Sequence, residues 1–161
     1  APGLERARSR GLPALLEERR PGEVRTANEA RLAARIEESG ADLVCLAGFM
    51  RVLSADFVGR FERRIVNVHP SLLPSFPGLD AQRQALEHGV KVAGATVHLV
   101  DAGTDTGPIA GQEAVPVLPG DDVERLSSRI LEAEHRLYPA TVARLLAGGW
   151  AVDGRRLRFP S

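Results

Sequence analysis

An amide and an imidazole stand two residues apart in the middle of this chain of 161 residues. Asn67 and His69 belong to the β-branched run Ile65–His69, which ends at Pro70 and therefore predicts a short strand followed by a loop. Because side chains alternate between the two faces of a strand, both side chains should project to the same side. An asparagine amide can stabilise an oxyanion and a histidine can move a proton, so the pair suits attack on a carbonyl carbon.

A carboxylate would complete this pair, and Asp105 is the candidate. It lies in a loop rich in Gly, Asp and Thr, residues 101–107, directly after a predicted strand that carries His98. A carboxylate beside a histidine orients the ring and stabilises its charged form. Each residue alone has an ordinary structural explanation, as a turn cap, a strand histidine or a loop aspartate. The hypothesis of a reaction site therefore rests on their joint occurrence.

Other chemistries fit the sequence less well. Ser71 and Ser75 lack the flanking motif of a nucleophile elbow, which makes a Ser-His-Asp hydrolase a poor interpretation. The four histidines have no metal-ligand spacing and there is one cysteine, so we expect no metal site. Lys+Arg and Asp+Glu each number 21, which argues against a nucleic-acid-binding face. The sequence has no apolar run long enough to cross a membrane.

Strands that alternate with helices must position these groups. The alternation predicts one α/β domain, residues 1–161, with three layers and a mainly parallel sheet. Residues 42–47 should form a central strand buried on both faces, which makes Cys45 a buried, reduced thiol and favours a cytoplasmic location. Thr26 and Glu29 match a capping box. The other predicted strands cover residues 12–16, 65–69, 92–100 and 108–117, and a hairpin is predicted over residues 150–159. The predicted helices cover residues 4–10, 26–39, 54–61 and 80–88. A further, long helix should begin at Asp121 or Asp122, and Pro139 should kink or split it.

The order of five segments resembles the formyltransferases that use 10-formyltetrahydrofolate. The likeness runs from about Gly3 to Phe159, and its segments are LAGFMRVLS, NVHPSLLPSFPG, GATVHLVDAGTDTGPI, VPVLPGDD and EHRLYP. Residues 67–74 and 105–108 resemble the whole superfamily, whereas residues 48–51, 94–98 and 134–139 resemble its glycinamide ribonucleotide branch. The resemblance implies a Rossmann-like formyltransferase fold. It also implies transfer of a formyl group from 10-formyltetrahydrofolate to the amine of glycinamide ribonucleotide in purine biosynthesis.

The resemblance further implies roles for individual residues. Asn67 would hold the formyl oxygen, His69 would assist proton transfer, and Asp105 would position His69 and balance its charge. The remaining implied residues are Met50, Arg51, Val52, Leu53, Asp101, Ala102, Gly103 and Thr104 around the folate, Gly48, Pro70 and Glu134 facing the ribonucleotide, and Thr96 and His98 as support. The expected partners are these two small molecules, with no metal, nucleic acid or membrane, and the chain is expected to be a monomer or homodimer.

One departure from the family pattern affects these expectations. The family begins with a strand, a phosphate-binding loop and a helix, roughly one βα unit of about 40 residues, which this sequence does not show. We therefore expect an N-terminally incomplete domain whose sheet lacks a central strand and which is unstable or weakly active alone.

Other functions remain open beside the leading interpretation. A methionyl-tRNA formyltransferase would require a basic C-terminal domain. A formyltetrahydrofolate hydrolase and a sugar-amine formyltransferase are further alternatives within the superfamily. A non-catalytic folate-binding remnant belongs to a different class, although the intact Asn67, His69 and Asp105 argue against decay.

Overall fold

The computed structural model describes residues 2–160, which divide after Gly40 into two compact units. The first unit contains two helices, α1 (Pro2–Ser9) and α2 (Arg25–Glu38). Between them the described chain forms turns and irregular structure, and Arg31 of α2 makes ion pairs with Glu17 and Glu23 from this segment. These ion pairs connect the segment to the helix within the unit.

Two predictions for the first unit are wrong. Residues 12–16 form no strand, and the side chains of Leu12, Leu15 and Leu16 are exposed. A run of apolar residues becomes a strand only where another strand can pair with it, and the described part of this unit has none. Thr26 does not cap α2, because the helix begins one residue earlier and the N-cap is Val24. The helix predicted to end at residue 39 ends at Glu38, and Gly40 follows it with a φ of 66°.

A six-stranded open sheet forms the centre of the second unit. Its strands lie in the order β1-β2-β3-β4-β6-β5. Their bounds are β1 (Val44–Leu46), β2 (Ile65–His69), β3 (Val92–Leu99), β4 (Ile109–Pro116), β5 (Ala151–Asp153) and β6 (Arg156–Arg158). The helices of this unit are α3 (Ala55–Arg60), α4 (Ala81–Glu87) and α5 (Val123–Leu146). The α/β class is confirmed.

The sheet is mixed, which corrects the prediction of a mainly parallel one. β1 pairs with β2 and β4 pairs with β6 in parallel, whereas the pairs β2–β3, β3–β4 and β5–β6 are antiparallel. β3 and β4 are joined only by the loop 100–108, and a connection of that length cannot carry a chain back to start a parallel strand. The loop length therefore requires an antiparallel pair.

Strand β1 lies at one edge of the sheet and not at its centre. Among the described residues it pairs with β2 alone, and Cys45 at its middle is exposed. The predicted burial of this thiol is therefore wrong. An edge strand covers fewer of its side chains than a central strand, which accounts for the exposure.

The two faces of β2 and β3 differ in polarity. Val66 lies opposite Leu99 and Val68 opposite Val97, and these apolar side chains pack in the core with Leu145 of α5. The alternate residues of the same strands face away from α5. One side of the sheet thus holds the core, and the other side is free for polar groups.

Helix α5 covers the apolar face. Its N-cap is Asp122, whose carboxylate accepts a hydrogen bond from the backbone N–H of Arg125. The helix continues through Pro139 without being split, with Ile130 buried before the proline and Leu145 buried after it. Packing on both sides of the proline offsets the one hydrogen bond that it removes. No helix in the described chain is long and apolar enough to cross a membrane.

Candidate active site

Two neighbouring strands place the amide and both histidines on one face. In the register of β2 against β3, Asn67 lies opposite His98, and His69 lies opposite Thr96. Side chains directly opposite each other in an antiparallel pair share a face, so all four point away from α5. The side chains of His69 and His98 are only 6% and 2% exposed. The expectation that Asn67 and His69 share a face is confirmed.

Asp105 reaches both rings from the loop that follows β3. Its Oδ2 lies 3.3 Å from Nδ1 of His69, and its Oδ1 lies 3.5 Å from Nε2 of His98. The backbone N–H of Gly78 donates to Oδ2 over 2.8 Å. One carboxylate therefore contacts both histidines and the proline-rich loop after β2.

The hydrogen bonds of His98 determine how the Asn67 amide is oriented. Nδ1 of His98 lies 3.0 Å from the Leu99 carbonyl oxygen, which can only accept, so Nδ1 carries the proton. Burial lowers the pKa of His98, and its charge interactions with His69 add to this while Asp105 opposes it. The neutral ring thus presents a lone pair at Nε2, and the Asn67 amide donates to it over 3.4 Å. The second N–H of the Asn67 amide remains available for another acceptor.

The ring of His69 lies between two acceptors. Its Nε2 donates to the Phe76 carbonyl oxygen over 2.9 Å, while its Nδ1 faces the Asp105 carboxylate. A ring that carries a proton on each nitrogen can donate to both at once. The site can therefore accommodate a positive charge on His69 next to a carboxylate that balances it.

A cleft of about 90 Å³ opens beside these groups. Asn67, His98 and Asp105 line this cleft with side chains that could take part in a reaction. Most of the remaining lining comes from the segment after β1 and the loop after β3. Within residues 2–160 no group of three or more His, Cys, Asp and Glu side chains is arranged to hold a metal ion. The cleft lining offers one amide N–H, one imidazole and one carboxylate, and His69 lies behind it, in contact with the same carboxylate. An amide donor, a histidine and a carboxylate are the groups that acyl-group transfer needs.

A family model described as "Formyl transferase" matches residues 1–142 of the chain. The chain belongs to the formyl transferase family. A solved structure of glycinamide ribonucleotide transformylase 1 from Symbiobacterium toebii is 55% identical and superposes with a TM-score of 0.95, covering 99% of this chain and 75% of that one. The predicted Rossmann-like formyltransferase fold is therefore confirmed.

Two curated relatives share much of the sequence. Phosphoribosylglycinamide formyltransferase from Mycobacterium tuberculosis is 53% identical over 131 residues, which are 81% of this chain and 61% of that protein. The trifunctional purine biosynthetic protein adenosine-3 of Drosophila melanogaster is 50% identical over 146 residues, which are 91% of this chain and 11% of that protein. The chain thus spans about a tenth of the fly protein and under two thirds of the mycobacterial one.

Most residues expected around the folate of a formyl transferase line the cleft. These residues are Arg51, Val52, Leu53, Asp101, Gly103 and Thr104. Met50 and Ala102 belong to the same two segments but are not among the lining residues, and Met50 is 78% exposed. Asp101 holds the second segment together, because its Oδ1 accepts from the Gly103 N–H and from the Thr106 hydroxyl.

The three residues expected to face the ribonucleotide lie outside this lining. Gly48 lies two residues after the end of β1 and has a φ of 64°, a conformation that favours glycine. Pro70 lines a separate cavity of about 120 Å³, which also includes Phe76 and Ala85. Glu134 is half-buried on α5, and its burial raises the pKa of its carboxyl while the charge of His135 opposes that shift. The cleft does not bring these three together.

Several groups that shape the site were not predicted from the sequence. The Phe76 carbonyl binds His69 and the Gly78 N–H binds Asp105. Every residue has a backbone carbonyl, so the residue type gives no indication of such contacts. Gln112 of β4 and Tyr138 of α5 also bind backbone near the site. Tyr138 lay within the EHRLYP segment and could have been singled out there, whereas Gln112 has no such signal.

A larger concavity lies elsewhere on the second unit. It has a volume of about 760 Å³ and lies at the start of α5 near Leu118. Its charged lining includes Asp121 and Arg129, which pair with each other at 2.8 Å. None of the predicted site residues lines it, so its size does not make it the reaction site of a formyl transferase.

Proposed function

We propose that the protein transfers a formyl group from 10-formyltetrahydrofolate to the amine of glycinamide ribonucleotide, a step of purine biosynthesis. The observation that carries this proposal is the convergence of Asn67, His69 and Asp105 beside one cleft in a member of the formyl transferase family. The glycinamide ribonucleotide and purine names of the relatives support this acceptor over tRNA or a sugar amine.

The reaction begins when the acceptor amine attacks the formyl carbon. A carbon–nitrogen bond forms, and the formyl oxygen gains negative charge as the carbon becomes tetrahedral. The second N–H of Asn67 donates to this oxygen, because the first is held by His98. His69 stabilises the same charge, and Asp105 keeps its ring in place.

The intermediate then collapses toward product. The bond between the formyl carbon and the folate nitrogen breaks, the former amine loses a proton, and the departing folate nitrogen takes one up. His69 is the group in the site that can accept and return such a proton, with the Asp105 carboxylate balancing its charge throughout. No protein nucleophile is needed.

The folate binds between the two segments that line the cleft. Arg51, Val52 and Leu53 form one side, and the loop with Asp101 and Thr104 forms the other. Met50, Ala102 and Gly103 contribute backbone in the same segments. No metal takes part in this proposal.

The residues proposed to contact the ribonucleotide are Gly48, Pro70 and Glu134. The half-buried Glu134 carboxyl, with its raised pKa, would face the acceptor's glycinamide. Thr96 and His98 support the catalytic groups from β3. Folate and ribonucleotide as partners, a monomeric or homodimeric assembly, a cytoplasmic location and a single domain spanning the chain remain predictions.

Formyl release from 10-formyltetrahydrofolate tests this function. The full-length natural protein is mixed with the donor in three reactions that contain glycinamide ribonucleotide, methionyl-tRNA or no acceptor. We expect loss of the formyl group only with glycinamide ribonucleotide. Loss without an acceptor would identify a hydrolase, and donor binding without turnover in any reaction would identify a non-catalytic folate-binding protein; either result contradicts the proposal.

A further inference from the structure

The loop 70–78 supplies two backbone groups to the site, so something must hold this loop in place. The Phe76 carbonyl accepts from His69 and the Gly78 N–H donates to Asp105. A displacement of this loop would release both contacts together. The side chains that hold its first half therefore influence the geometry of the reacting groups.

Two side chains on neighbouring strands hold the first half of this loop. Thr96 of β3 lies directly opposite Gln112 of β4, on the same face of the sheet as His69. The Thr96 hydroxyl donates to the Ser71 carbonyl over 2.6 Å and accepts from the Leu73 N–H at 3.0 Å. Thr96 is completely buried, so these bonds are shielded from water.

Gln112 is the second side chain that binds the loop. Its Nε2 donates to the Leu73 carbonyl over 2.9 Å and to the Thr96 hydroxyl oxygen over 3.0 Å. Three backbone groups of the loop are thus bound by two side chains, and the amide of Gln112 joins the loop to the hydroxyl that binds the rest of it. Gln112 does not line the cleft, so any effect on the reaction must pass through the loop.

We propose that Gln112 is a positioning residue for formyl transfer, which sets His69 and Asp105 by fixing the loop 70–78. This inference rests on the proposed function for its kinetic consequence, but not for its structural one. Removing the amide would break its hydrogen bonds to the Leu73 carbonyl and to the Thr96 hydroxyl oxygen. The Phe76 carbonyl would then hold the His69 ring less firmly.

The first test is Gln112→Met in the full-length natural protein. Methionine matches the length of glutamine but donates no hydrogen bond, and Gln112 is exposed, so the variant should fold. With two net hydrogen bonds lost, we expect kcat for formyl transfer to fall about threefold to tenfold while KM for 10-formyltetrahydrofolate stays within about twofold. An unchanged kcat in the folded variant would overturn the proposal.

The matched control is Glu113→Gln on the same strand. Glu113 points to the other face, where it pairs with Arg136 of α5. We expect kcat of this variant to stay within about twofold of wild type, because surface ion pairs contribute little. An equal loss of kcat in both variants would show a general effect of altering β4 and would contradict a specific role for Gln112.

A second readout needs no substrate. The ¹⁵N resonances of the His69 ring report which nitrogen carries a proton, and hydrogen exchange reports the protection of the Leu73 N–H. We expect Gln112→Met to change the ring pattern and to speed exchange at Leu73, and unaltered spectra would overturn the proposal even if kcat fell. If wild type transfers no formyl group, the proposed function fails while these spectra still test the positioning role.

A third variant serves if Gln112→Met does not fold. In Gln112→Glu the carboxylate cannot donate to the Leu73 carbonyl, whereas the protonated carboxyl can donate one hydrogen bond. The ratio of variant to wild-type kcat should therefore rise as pH falls. A ratio that does not depend on pH would contradict the role of Gln112 as a donor.

Discussion

Asp105 lies close to His69, His98 and the Gly78 N–H, and it adopts an unusual backbone conformation. Its φ is 54°, in the left-handed region that non-glycine residues seldom occupy. Such a conformation costs about 1–2 kcal/mol. The contacts with His69 and the Gly78 N–H offset this cost, and the conformation directs the carboxylate at both.

Replacing Asp105 by Asn tests its role directly. The amide oxygen can still accept from the Gly78 N–H, but it cannot balance a charged His69. We expect kcat to fall at least about 100-fold, with folding and donor affinity largely kept. Steady-state kinetics and equilibrium binding of the donor provide the measurement.

The control for this variant is Asp153→Asn. Asp153 lies on the exposed hairpin and pairs with Arg158 at 3.3 Å, so the kcat of this variant should match that of wild type. A folded Asp105→Asn protein with wild-type kcat would remove Asp105 from the mechanism.

The buried His98 predicts a pH dependence of stability. Because burial lowers its pKa below the ordinary 6.5, the unfolded chain binds a proton here that the folded protein does not bind. The free energy of unfolding should therefore be constant above about pH 6.5 and decline as pH falls toward the folded pKa, by at most about 1.4 kcal/mol per pH unit. Urea unfolding at a series of pH values measures this decline.

The variant His98→Gln has no titrating ring at this position. Its stability should fall less steeply than that of wild type over the same acidic range, whatever its absolute stability. Parallel curves for the two proteins would show that another group causes the decline.

At the level of residues, the local sequence pattern predicted which side chains form the site but not the backbone groups that bind them. Alternation along β2 was enough to place Asn67 and His69 on one face, and a loop after the next strand was enough to suggest Asp105. The Phe76 carbonyl and Gln112 could not be found in this way. Their contacts depend on the path of a loop and on the register of two distant strands, which local sequence does not determine.

Among the elements, α5 does more than cover the core. The Tyr138 hydroxyl lies 2.8 Å from the Leu46 carbonyl and 3.0 Å from the Val66 carbonyl. It therefore links the helix to β1 and β2 just before the segments that line the cleft. One side chain on α5 helps to fix the ends of two strands relative to each other.

Two glycines differ in the space that is available for an added side chain. A Cβ at Gly107, where the loop enters β4, would collide with the Leu99 carbonyl oxygen, and backbone cannot move aside cheaply. Gly59 in α3 has nothing within 4 Å of the same position and its φ is ordinary. We expect Gly107→Ala to destabilise by about 1–3 kcal/mol and Gly59→Ala to stabilise by about 0.5–1 kcal/mol.

Chemical denaturation of the two alanine variants measures both changes. Because Gly107 lies two residues after Asp105, its variant should also lose formyl transfer, whereas the Gly59 variant should keep it. Equal stabilities of the two variants would contradict the packing described for the loop.

At the level of elements, propensity predicted most helices and strands but not all of their pairings. The helix predicted over residues 54–61 is present and is capped by Ser54, and the hairpin predicted over residues 150–159 is present as β5 and β6. The antiparallel sheet and the exposed leucines of residues 12–16 were missed, because pairing depends on which strands are available as neighbours. The edge position of β1 is a property of the whole sheet and cannot be read from its apolar run.

For the molecule as a whole, binding of the formyl donor should increase the free energy of unfolding. A ligand that binds only the folded state at 100 times its Kd adds about 2.7 kcal/mol to the free energy of unfolding. We expect 10-formyltetrahydrofolate to raise the thermal midpoint of wild type and of Asp105→Asn alike. Differential scanning fluorimetry measures this shift, and no shift in wild type would contradict folate binding.

The family and the fold were predictable because the motifs cover nearly the whole chain. The formyl transferase match over residues 1–142 and the superposition over 99% of the chain agree with the resemblance of its five segments. What the motifs could not supply was the mixed direction of the strands and the network of backbone contacts.

The register between β2 and β3 has a consequence for how this protein can change over evolutionary time. Asn67 opposite His98 and His69 opposite Thr96 share a face only while both strands keep their residue count. Deleting a single residue inside β3 would turn its inward and outward side chains over, placing Thr96 and His98 in the core beneath α5. Insertions and deletions in descendants of this gene should therefore accumulate in surface turns such as 118–121 and be purged from β3, even where point substitutions there are tolerated.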